Sequence, residues 1–252
     1  MDDLAVDVAL LRQAEPSRPS ATEPIDAALI DELLGYIQCL DKTRLEARLA
    51  EYGVHTPFVT MLHRVLVPLM HRLGDLWAAQ KISIASERFA TMMLKQRLLT
   101  MLHITAPGTH TPLLLCACPA GEFHELGLLA FAYAMQQHGW QVCYLGPDLP
   151  LHELRWSCQH LRPALVALSF THVTSTADCY EAVQEIDASL APVYPTVVGG
   201  QAIRKIEHRL HPHFLCLGHT PQAALSHVGR QPAASEGPEK PTVPLGKPSL
   251  SP

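Results

Sequence analysis

Residues 120–127 have the sequence Ala120-Gly121-Glu122-Phe123-His124-Glu125-Leu126-Gly127. A short apolar run, 111–118, precedes this stretch and is closed by Pro119, whereas the run that follows, 128–135, repeats apolar residues at helical spacing. This pattern predicts a strand, a loop and a helix. The loop therefore lies at the carboxyl end of a strand, which is the edge of an open α/β sheet where ligands bind.

Within this loop, His124 lies two residues from the carboxylate of Glu122. The spacing suits a metal ligand, because one imidazole nitrogen can face a metal while the other donates its N–H to the acid, which fixes the tautomer and raises the basicity. The sequence thus predicts His124 as a metal ligand supported by Glu122. From the loop alone, a solvated or locally hydrogen-bonded histidine is the alternative, since a motif match is a hypothesis.

The composition predicts a globular protein. The chain has 252 residues, of which 48% are hydrophobic and 17% charged, so it can bury one or two ordinary cores. The net charge of −5 and the lack of a long Lys/Arg run disfavour direct DNA binding. No apolar segment is long enough to span a membrane, and the N-terminus is acidic where a secretion signal is basic. We therefore expect a cytoplasmic protein without a membrane contact.

The cysteines argue against a disulfide framework and against zinc. All seven lie among apolar neighbours, and none forms a Cys-x-x-Cys pair. They are typical of small core residues in a reducing compartment.

Four parts can be distinguished along the chain. Residues 1–24 hold prolines among Ser, Glu and Arg and predict a disordered leader. In residues 25–105, apolar residues recur at helical spacing in four segments, which predicts a four-helix bundle that caps the rest. Residues 110–230 alternate strand and helix patterns and predict an α/β domain. Residues 231–252 form a Pro-rich tail that we expect to be disordered.

Capping residues predict the helix boundaries of the bundle. The second helix should begin after Asp41 and end near Gly53, because Gly suits a left-handed closing position. The third should open at Thr56-Pro57, since Thr can cap a helix and Pro fits its first turn. Pro68 within this helix should kink it.

After residue 106 the apolar period changes to an alternation of strands and helices, which implies a parallel sheet with right-handed crossovers and a flavodoxin-like (Rossmann-like) fold. The candidate strands are Leu113–Cys118, Val142–Leu145, Leu165–Ser169, Thr196–Val198 and Phe214–Leu217. The helical segments lie near 124–138, 151–161, 175–190 and 221–228.

Two further strand ends carry residues that suit a ligand. Gly199-Gly200 ends one strand with consecutive glycines, which let a flat or extended ligand approach the backbone closely, although an ordinary tight turn is the alternative. Ser169 and Thr171 place hydroxyls at the end of the preceding strand. Together with His124, these residues fall at three strand ends on one edge of the sheet.

This ordered set resembles the cobalamin (vitamin B12)-binding domain shared by methionine synthase, corrinoid methyl carriers and cobalamin photoreceptors. The first motif here is Glu-x-His-x-x-Gly, and Glu122 in place of the commoner Asp is similar to the photoreceptor branch. The resemblance implies that His124 replaces the cofactor's dimethylbenzimidazole as the lower ligand to cobalt, base-off and His-on. The displaced tail is then held in a slot beside the sheet. The implied cofactor-binding residues of this domain are Glu122, Phe123, His124, Gly127, Ser169, Thr171, Gly199 and Gly200.

The bundle resembles the cap of CarH-like light-sensing cobalamin regulators, in which a Trp is followed after nine residues by a Glu. The Trp there packs against the upper adenosyl group and the Glu hydrogen-bonds it, so the resemblance implies Trp77 and Glu87 as the upper-face residues and adenosylcobalamin as the cofactor. A core Trp and a solvated helix Glu are the alternative. The segment Leu145-Gly146-Pro147-Asp148-Leu149-Pro150 is also similar to this branch.

The chain departs from the CarH-like pattern at several points. The leader 1–24 stands where those regulators carry an N-terminal helix-turn-helix DNA-binding domain, so we expect no direct DNA binding. Trp77 is followed by Ala78 rather than His, and Arg88 replaces the usual His after the Glu, which argues against a bis-histidine product of photolysis. Val173 stands where the tail slot often has a hydroxyl.

The resemblance implies a stand-alone cobalamin-dependent photoreceptor and not an enzyme. Light would break the cobalt–carbon bond and shift the bundle against the sheet, which changes contacts with a separate regulatory or effector protein or within a homo-oligomer. Some stand-alone proteins of this branch also hold a bilin (biliverdin) beside the cobalamin, and the 15 His residues leave that open. Two alternatives remain: a corrinoid methyl carrier for a separate methyltransferase, and a cobalamin sensor without photochemistry.

Overall fold

A computed structural model of the chain describes residues 25–104, 111–171, 176–190, 192–210 and 215–216. The leader 1–24, Val173, the helix near 221–228 and the tail 231–252 all lie outside the described residues. Among the residues that are described, no helix is both long and apolar enough to cross a membrane.

The N-terminal region is a helical bundle, as the sequence predicts. Its helices share a core in which apolar side chains at helical spacing are buried against one another. The helices are α1 (Ala27–Gln38), α2 (Lys42–His55), α3 (Phe58–Met61), which runs through a π-helical turn (Leu62–Leu66) into α4 (Val67–Ala78), and α5 (Ile84–Ile104).

The start of α2 follows the predicted capping, but its end does not. The Asp41 carboxylate accepts a hydrogen bond from the backbone N–H of Arg44 at 3.0 Å, which satisfies one of the free donors of the first turn. The helix then continues past Gly53 and stops only before the extended Thr56, so the predicted end near Gly53 is wrong. Thr56 precedes Pro57, and contact with the proline ring disfavours the helical conformation of the preceding residue. A glycine within a helix costs only modest stability, so the helix ends at Thr56 and not at Gly53.

An irregular turn precedes Pro68, where the sequence predicts a kink. A proline has no N–H for the carbonyl four residues earlier, which here belongs to Arg64. That carbonyl accepts the backbone N–H of Asp26 at 3.2 Å, and the Arg64 guanidinium pairs with the Asp26 carboxylate at 2.8 Å. The π-helical turn Leu62–Leu66 contains Arg64, so it lies where Asp26, just before α1, contacts the segment between α3 and α4.

The C-terminal region is a parallel sheet of five strands with the order β2-β1-β3-β4-β5, which is the flavodoxin-like order. Because β2 and β3 pair on opposite sides of β1, the connections reverse direction there and leave a crevice at the carboxyl end of β1. The strands are β1 (Leu113–Pro119), β2 (Gln141–Leu149), β3 (Leu165–Ser169), β4 (Thr196–Gly199) and β5 (Leu215–Cys216). The helices are α6 (Leu126–Gln137), α7 (Leu151–Leu161), α8 (Thr176–Ser189) and α9 (Gln201–Ile206).

Strand β2 is longer than the predicted Val142–Leu145. It continues through Gly146 and Pro147 because it is an edge strand, where a missing N–H breaks no ladder hydrogen bond with a further neighbour. Its pairing with β1 is regular up to Cys116 and Tyr144 and then shifts register. The shift changes the course of the backbone at the edge of the sheet that holds the His124 loop.

The bundle packs on one side of the sheet, through α6. Alternate residues of β1, such as Leu114 and Cys116, share a core with α6 and the bundle, whereas Leu115 and Ala117 share a core with α7, α8 and α9. The rings of Phe58 in the bundle and Tyr133 in α6 meet edge to face with centroids 4.9 Å apart. The bundle therefore packs against the face of the sheet that α6 covers.

The six described cysteines are free thiols, as the sequence predicts. Burial raises the pKa of Cys118 and that of Cys158 to about 12, so both thiols stay protonated near neutral pH. Four of the described cysteines are buried core residues, as predicted, whereas Cys143 is partly buried and Cys39 is exposed, so the prediction is wrong for Cys39.

Candidate functional site

The loop between β1 and α6 carries the predicted ligand motif. Gly121 has a left-handed backbone (φ +80°), and the N–H of Glu122 donates to the carbonyl of Pro119 at 3.0 Å, so the chain turns back over the end of β1. This turn buries the Glu122 side chain, which is 3% exposed, and leaves 58% of the His124 side chain exposed. The Glu122 carboxylate is thus buried, and the His124 imidazole is exposed to solvent.

The Glu122 carboxylate accepts hydrogen bonds from two loops. Its Oε1 accepts the backbone N–H of His124 at 2.7 Å and lies 2.8 Å from His124 Nδ1. Its Oε2 accepts the backbone N–H of Thr171, just after β3, at 2.6 Å. Because an ionised carboxylate only accepts, the contact with Nδ1 places the hydrogen of the neutral imidazole on Nδ1, so Nε2 is the nitrogen that carries the ring's lone pair. The predicted pairing of Glu122 and His124 is present in the structure.

The electrostatic environment of His124 includes the cap. The hydrogen bond to Glu122 raises the pKa of His124 above its ordinary value of 6.5, and burial acts in the opposite direction. The charge of Glu87 also raises this pKa, and that of Arg88 lowers it. Glu87 lies in the first turn of α5 and Arg88 directly follows it, so this end of the cap contributes to the electrostatic environment of His124.

The ends of β3 and β4 meet beside this loop, as the sequence predicts. Ser169 and Gly199 are partners in register, and the N–H of Phe170 donates to the carbonyl of Gly199 at 2.8 Å. Ser169 is buried, and Thr171 is half-buried through its link to Glu122. Four of the predicted residues, Ser169, Thr171, Glu122 and His124, are therefore adjacent to one another or joined by hydrogen bonds across two strand ends.

Gly200 is required by the backbone itself. It has a φ of +103°, and a Cβ built on it would lie 2.2 Å from the carbonyl oxygen of Phe170. That carbonyl also accepts the N–H of Ala202 at 3.0 Å. The tight-turn alternative thus accounts for this glycine, because the neighbouring loop already occupies the space that the missing side chain leaves.

The two predicted cap residues differ in their surroundings. Trp77, near the end of α4, is 52% exposed, which rules out the alternative of a core Trp. Glu87 is half-buried, and its Oε1 accepts the Thr91 hydroxyl at 2.8 Å. Beside His124, Phe123 is 64% exposed. Two aromatic side chains of the candidate site are thus accessible to a ligand.

One buried ion pair near the site escapes sequence analysis. The Nζ of Lys95 in α5 contacts Glu125 Oε1, and the Tyr144 hydroxyl in β2 donates to Glu125 Oε2 at 2.7 Å. Glu125 is 7% exposed and directly follows His124. The link joins the bundle, the start of α6 and the edge strand, and only the acidic residue within the His124 motif hints at it in the sequence.

Family models match both regions of the chain. Residues 112–224 and residues 29–100 each match a model described as a B12 binding domain. The chain belongs to the B12-binding domain family. The two matched ranges correspond to the α/β domain and to the bundle, so both are parts of one cobalamin-binding architecture.

This B12-binding chain is similar to two curated proteins of Myxococcus xanthus. It is 33% identical over 140 residues to the HTH-type transcriptional repressor CarA, a span of 56% of this chain and 46% of CarA. It is 29% identical over 204 residues to the HTH-type transcriptional repressor CarH, a span of 81% of this chain and 66% of CarH. The chain thus spans about half of one relative and just under two thirds of the other.

Among solved structures, the monomethylamine corrinoid protein of Methanosarcina barkeri matches the B12-binding chain with a TM-score of 0.61 and 16% identity. The match covers 79% of this chain and 98% of that protein. At this identity the likeness shows the fold, and it confirms the predicted flavodoxin-like domain with a helical cap.

The residues present fit a corrin-bound cobalt. A corrin supplies the in-plane nitrogens, so the protein has to add a single axial nitrogen, and His124 offers its Nε2 because Glu122 holds Nδ1. No group of three or more His, Cys, Asp or Glu residues that could hold a bare metal ion occurs in the described ranges. A Cβ built on Gly127 meets no atom within 4 Å, so the space beside this residue, three positions after His124, is open.

Proposed function

We propose that this chain is a stand-alone cobalamin-dependent photosensor that binds adenosylcobalamin base-off with His124 as the lower ligand, and that it is not an enzyme. The observation that carries the proposal is the exposed His124 imidazole, which the buried Glu122 carboxylate holds in one tautomer. The CarH-like order of Trp77 and Glu87 in the cap supports the choice of a photosensor within the family.

On the lower face, the chain supplies an imidazole whose orientation is fixed by Glu122. A cobalt ligand must be deprotonated at the ligating nitrogen, and the contact of Nδ1 with Glu122 makes Nε2 the ligating nitrogen of the neutral ring. The hydrogen bond from the Thr171 N–H fixes the same carboxylate from the side of β3. We assign the slot for the displaced nucleotide tail to Ser169 and to the backbone of Gly199 and Gly200, since Phe170 already occupies the side-chain space at Gly200.

On the upper face, Trp77 and Glu87 have complementary roles. The indole of Trp77 provides an apolar surface for an adenine ring, and the Glu87 carboxylate can accept hydrogen bonds from ribose hydroxyls. When bound, adenosylcobalamin supplies a cobalt–carbon bond that light can break. The residues around it favour a ligand that carries an adenosyl group over one that carries a methyl group, because a site built with polar partners disfavours a ligand that lacks them.

The link between Lys95, Glu125 and Tyr144 gives the signal a route between the two regions. Lys95 lies on α5, the helix that also carries Glu87, and Glu125 lies next to His124. A displacement of Glu87 at the upper face would therefore move α5, which contacts the His124 loop through Lys95 and Glu125. We propose that the resulting shift of the bundle alters contacts with a separate regulatory or effector protein, or within a homo-oligomer.

A corrinoid methyl carrier for a separate methyltransferase is the second candidate function. The observation that favours it is the 52% exposure of Trp77, since a carrier has to open its upper face to a methyl donor. A carrier requires neither the preference for the adenosyl group nor a response to light.

The test is an absorption spectrum and an elution profile of the protein loaded with adenosylcobalamin, in the dark and after green light. The photosensor predicts a His-on spectrum in the dark, a spectral change on illumination and a changed elution volume. Binding of adenosylcobalamin and methylcobalamin with equal affinity, with a light-insensitive elution profile, would favour the methyl carrier. A His-on complex that prefers adenosylcobalamin but shows no spectral change and no change in elution volume on illumination would favour the cobalamin sensor without photochemistry. Added biliverdin tests for the second chromophore through a new absorption band in the red.

A further inference from the structure

The segment Gly146-Pro147-Asp148 at the end of β2 has an unusual backbone. Gly146 and Asp148 both have left-handed conformations, with φ of +87° and +57°. For a residue other than Gly this conformation is strained, and Asp is one of the few residue types that adopt it with any frequency. The Asp148 side chain is exposed, so burial of apolar surface does not account for its position.

Asp148 makes two hydrogen bonds to the loop that carries His124. Its Oδ1 accepts the backbone N–H of Gly121 at 2.8 Å. Its own backbone N–H donates to the carbonyl of Glu122 at 3.1 Å. The left-handed φ and the register shift between β1 and β2 accompany this arrangement, in which one residue bonds the loop on both sides of the Glu122 Cα.

These bonds continue to the imidazole through Glu122. With its backbone held by Asp148, Glu122 directs its buried carboxylate to the backbone N–H and the Nδ1 of His124. The described contacts thus form a continuous chain from an exposed residue of the edge strand to the imidazole. Gly121, with φ +80°, can follow small movements of this loop, so without Asp148 the loop retains one fewer constraint.

We infer that Asp148 is a positioning residue for the cobalt ligand: it fixes the backbone of Gly121 and Glu122 so that Glu122 holds His124 in the orientation for axial ligation. The inference rests on the proposed role of His124. It assigns a purpose to the Leu145–Pro150 segment, for which the resemblance alone gives none.

Three substitutions separate the contribution of the Asp148 side-chain acceptor from that of its left-handed backbone conformation. Asp148→Asn keeps a side-chain oxygen acceptor and a tolerance for the left-handed conformation, Asp148→Gly keeps only the conformation, and Asp148→Ala keeps neither. Hydroxocobalamin is the probe. Its titration into each purified variant gives an affinity and, from the absorption spectrum, the fraction bound His-on. In the cofactor-free protein, amide hydrogen exchange at Gly121 and His124 measures how firmly the loop backbone is held.

We expect Asp148→Asn to resemble the wild type. Asp148→Gly should weaken binding by up to about 10-fold, the lower end of the effect of removing a direct partner of a ligand, and should lower the His-on fraction. It should also speed amide exchange at both Gly121 and His124. Asp148→Ala should show the same changes with a lower melting temperature.

The positioning role would be overturned if Asp148→Gly and Asp148→Ala kept the wild-type His-on spectrum and affinity while exchange at Gly121 alone became faster. Asp148 would then be a local turn residue. A wild-type protein that binds hydroxocobalamin without a His-on spectrum would instead overturn the ligand role of His124, and the inference with it. The wild-type spectrum therefore distinguishes the two failures.

Discussion

The His124 loop and the cap of this protein are prepared for a ligand in opposite ways. The loop is held by a buried carboxylate with hydrogen bonds to His124 and to Thr171, and it is joined to the edge strand through Asp148. In the cap, Trp77 is half exposed, and Glu87 is half-buried with its carboxylate bonded to Thr91 on its own helix. The loop is thus joined to other elements of the fold, whereas Trp77 is half open to solvent and Glu87 is bonded within its own helix.

The difference assigns separate tasks to the two regions. An organised ligand loses little conformational entropy on binding, so the loop should set affinity and coordination. A cap that is ordered by its ligand should respond to which upper group is present, because the free energy of ordering depends on that group. Under the proposed function, we therefore expect the loop to recognise cobalamin in general and the cap to distinguish its forms.

The largest effect is expected when His124, the proposed cobalt ligand on the organised loop, is replaced. His124→Ala should abolish the His-on spectrum and weaken cobalamin binding by more than the about 10- to 100-fold typical of losing a ligand's hydrogen-bonding partner. The measurement is a spectroscopic titration with hydroxocobalamin. His160→Ala, at an exposed histidine of α7, is the control and should bind like the wild type. An unchanged spectrum in His124→Ala would remove this residue from the site.

Glu122→Gln should weaken binding by about 10- to 100-fold, because the imidazole loses a charged partner. An amide side chain has one acceptor oxygen, so the N–H of His124 or that of Thr171 loses its partner, at a cost of about 1–3 kcal/mol in the free energy of unfolding. Titration and denaturant unfolding measure the two effects. Glu122→Asp retains both oxygens and should lose less affinity. Equal cobalamin affinities of Glu122→Gln and Glu122→Asp would show that the carboxylate does not orient His124.

Lys95→Met tests the connection between the two regions. It leaves the buried Glu125 without its cation and should lower the free energy of unfolding by about 1–3 kcal/mol, below the full cost of breaking a buried pair because Lys95 is 30% exposed. Lys42→Met, which breaks an exposed pair with Glu46, should cost less than about 0.5 kcal/mol. Adding Glu125→Gln to Lys95→Met should restore part of the loss. Equal effects of the two Lys substitutions would argue against a special link.

On the cap side, the expected effect is smaller and selective. Trp77→Ala should weaken adenosylcobalamin binding by about 2- to 10-fold, as expected for loss of one aromatic contact, and should leave methylcobalamin binding unchanged. Trp156→Ala removes a similarly exposed Trp from α7 and serves as the control. The two cofactors are compared by titration in the dark. An equal loss for both cobalamins would place Trp77 among general binding residues and would blur the division between loop and cap.

The pKa of His124 gives the finest test of the loop. In the cofactor-free protein it should lie above 6.5, because the hydrogen bond to Glu122 favours the protonated imidazole. A raised folded-state pKa means that this contact stabilises the fold fully below pH 6.5 and that its contribution is lost as the pH rises through the folded-state value. An NMR titration of the imidazole measures the shift, and Glu122→Gln should reduce it. A pKa at or below 6.5 in the wild type would contradict the pairing.

The sequence predicts local features well and distant ones poorly. His124 and Glu122 are two residues apart, so their pairing follows from spacing alone, and the parallel sheet follows from the alternating pattern. The bond from Thr171 to Glu122 joins residues 49 positions apart and depends on the order of the strands. The contact of Lys95 with Glu125 depends on how the bundle packs against α6. The extension of β2 through Pro147 was not predictable without knowing that β2 is an edge strand.

The close approach of Gly200 to Phe170 affects how a mutational scan of this chain should be interpreted. Any side chain at position 200 would collide with the carbonyl oxygen of Phe170, so variants there should be poorly tolerated whether or not cobalamin is needed for growth. Intolerance at Gly200 is therefore no evidence of cofactor contact. The informative position is Gly127, where a side chain meets open space and variants should be harmless to folding. If selection rejects them only when cobalamin is required, the ligand itself is what the added side chain obstructs.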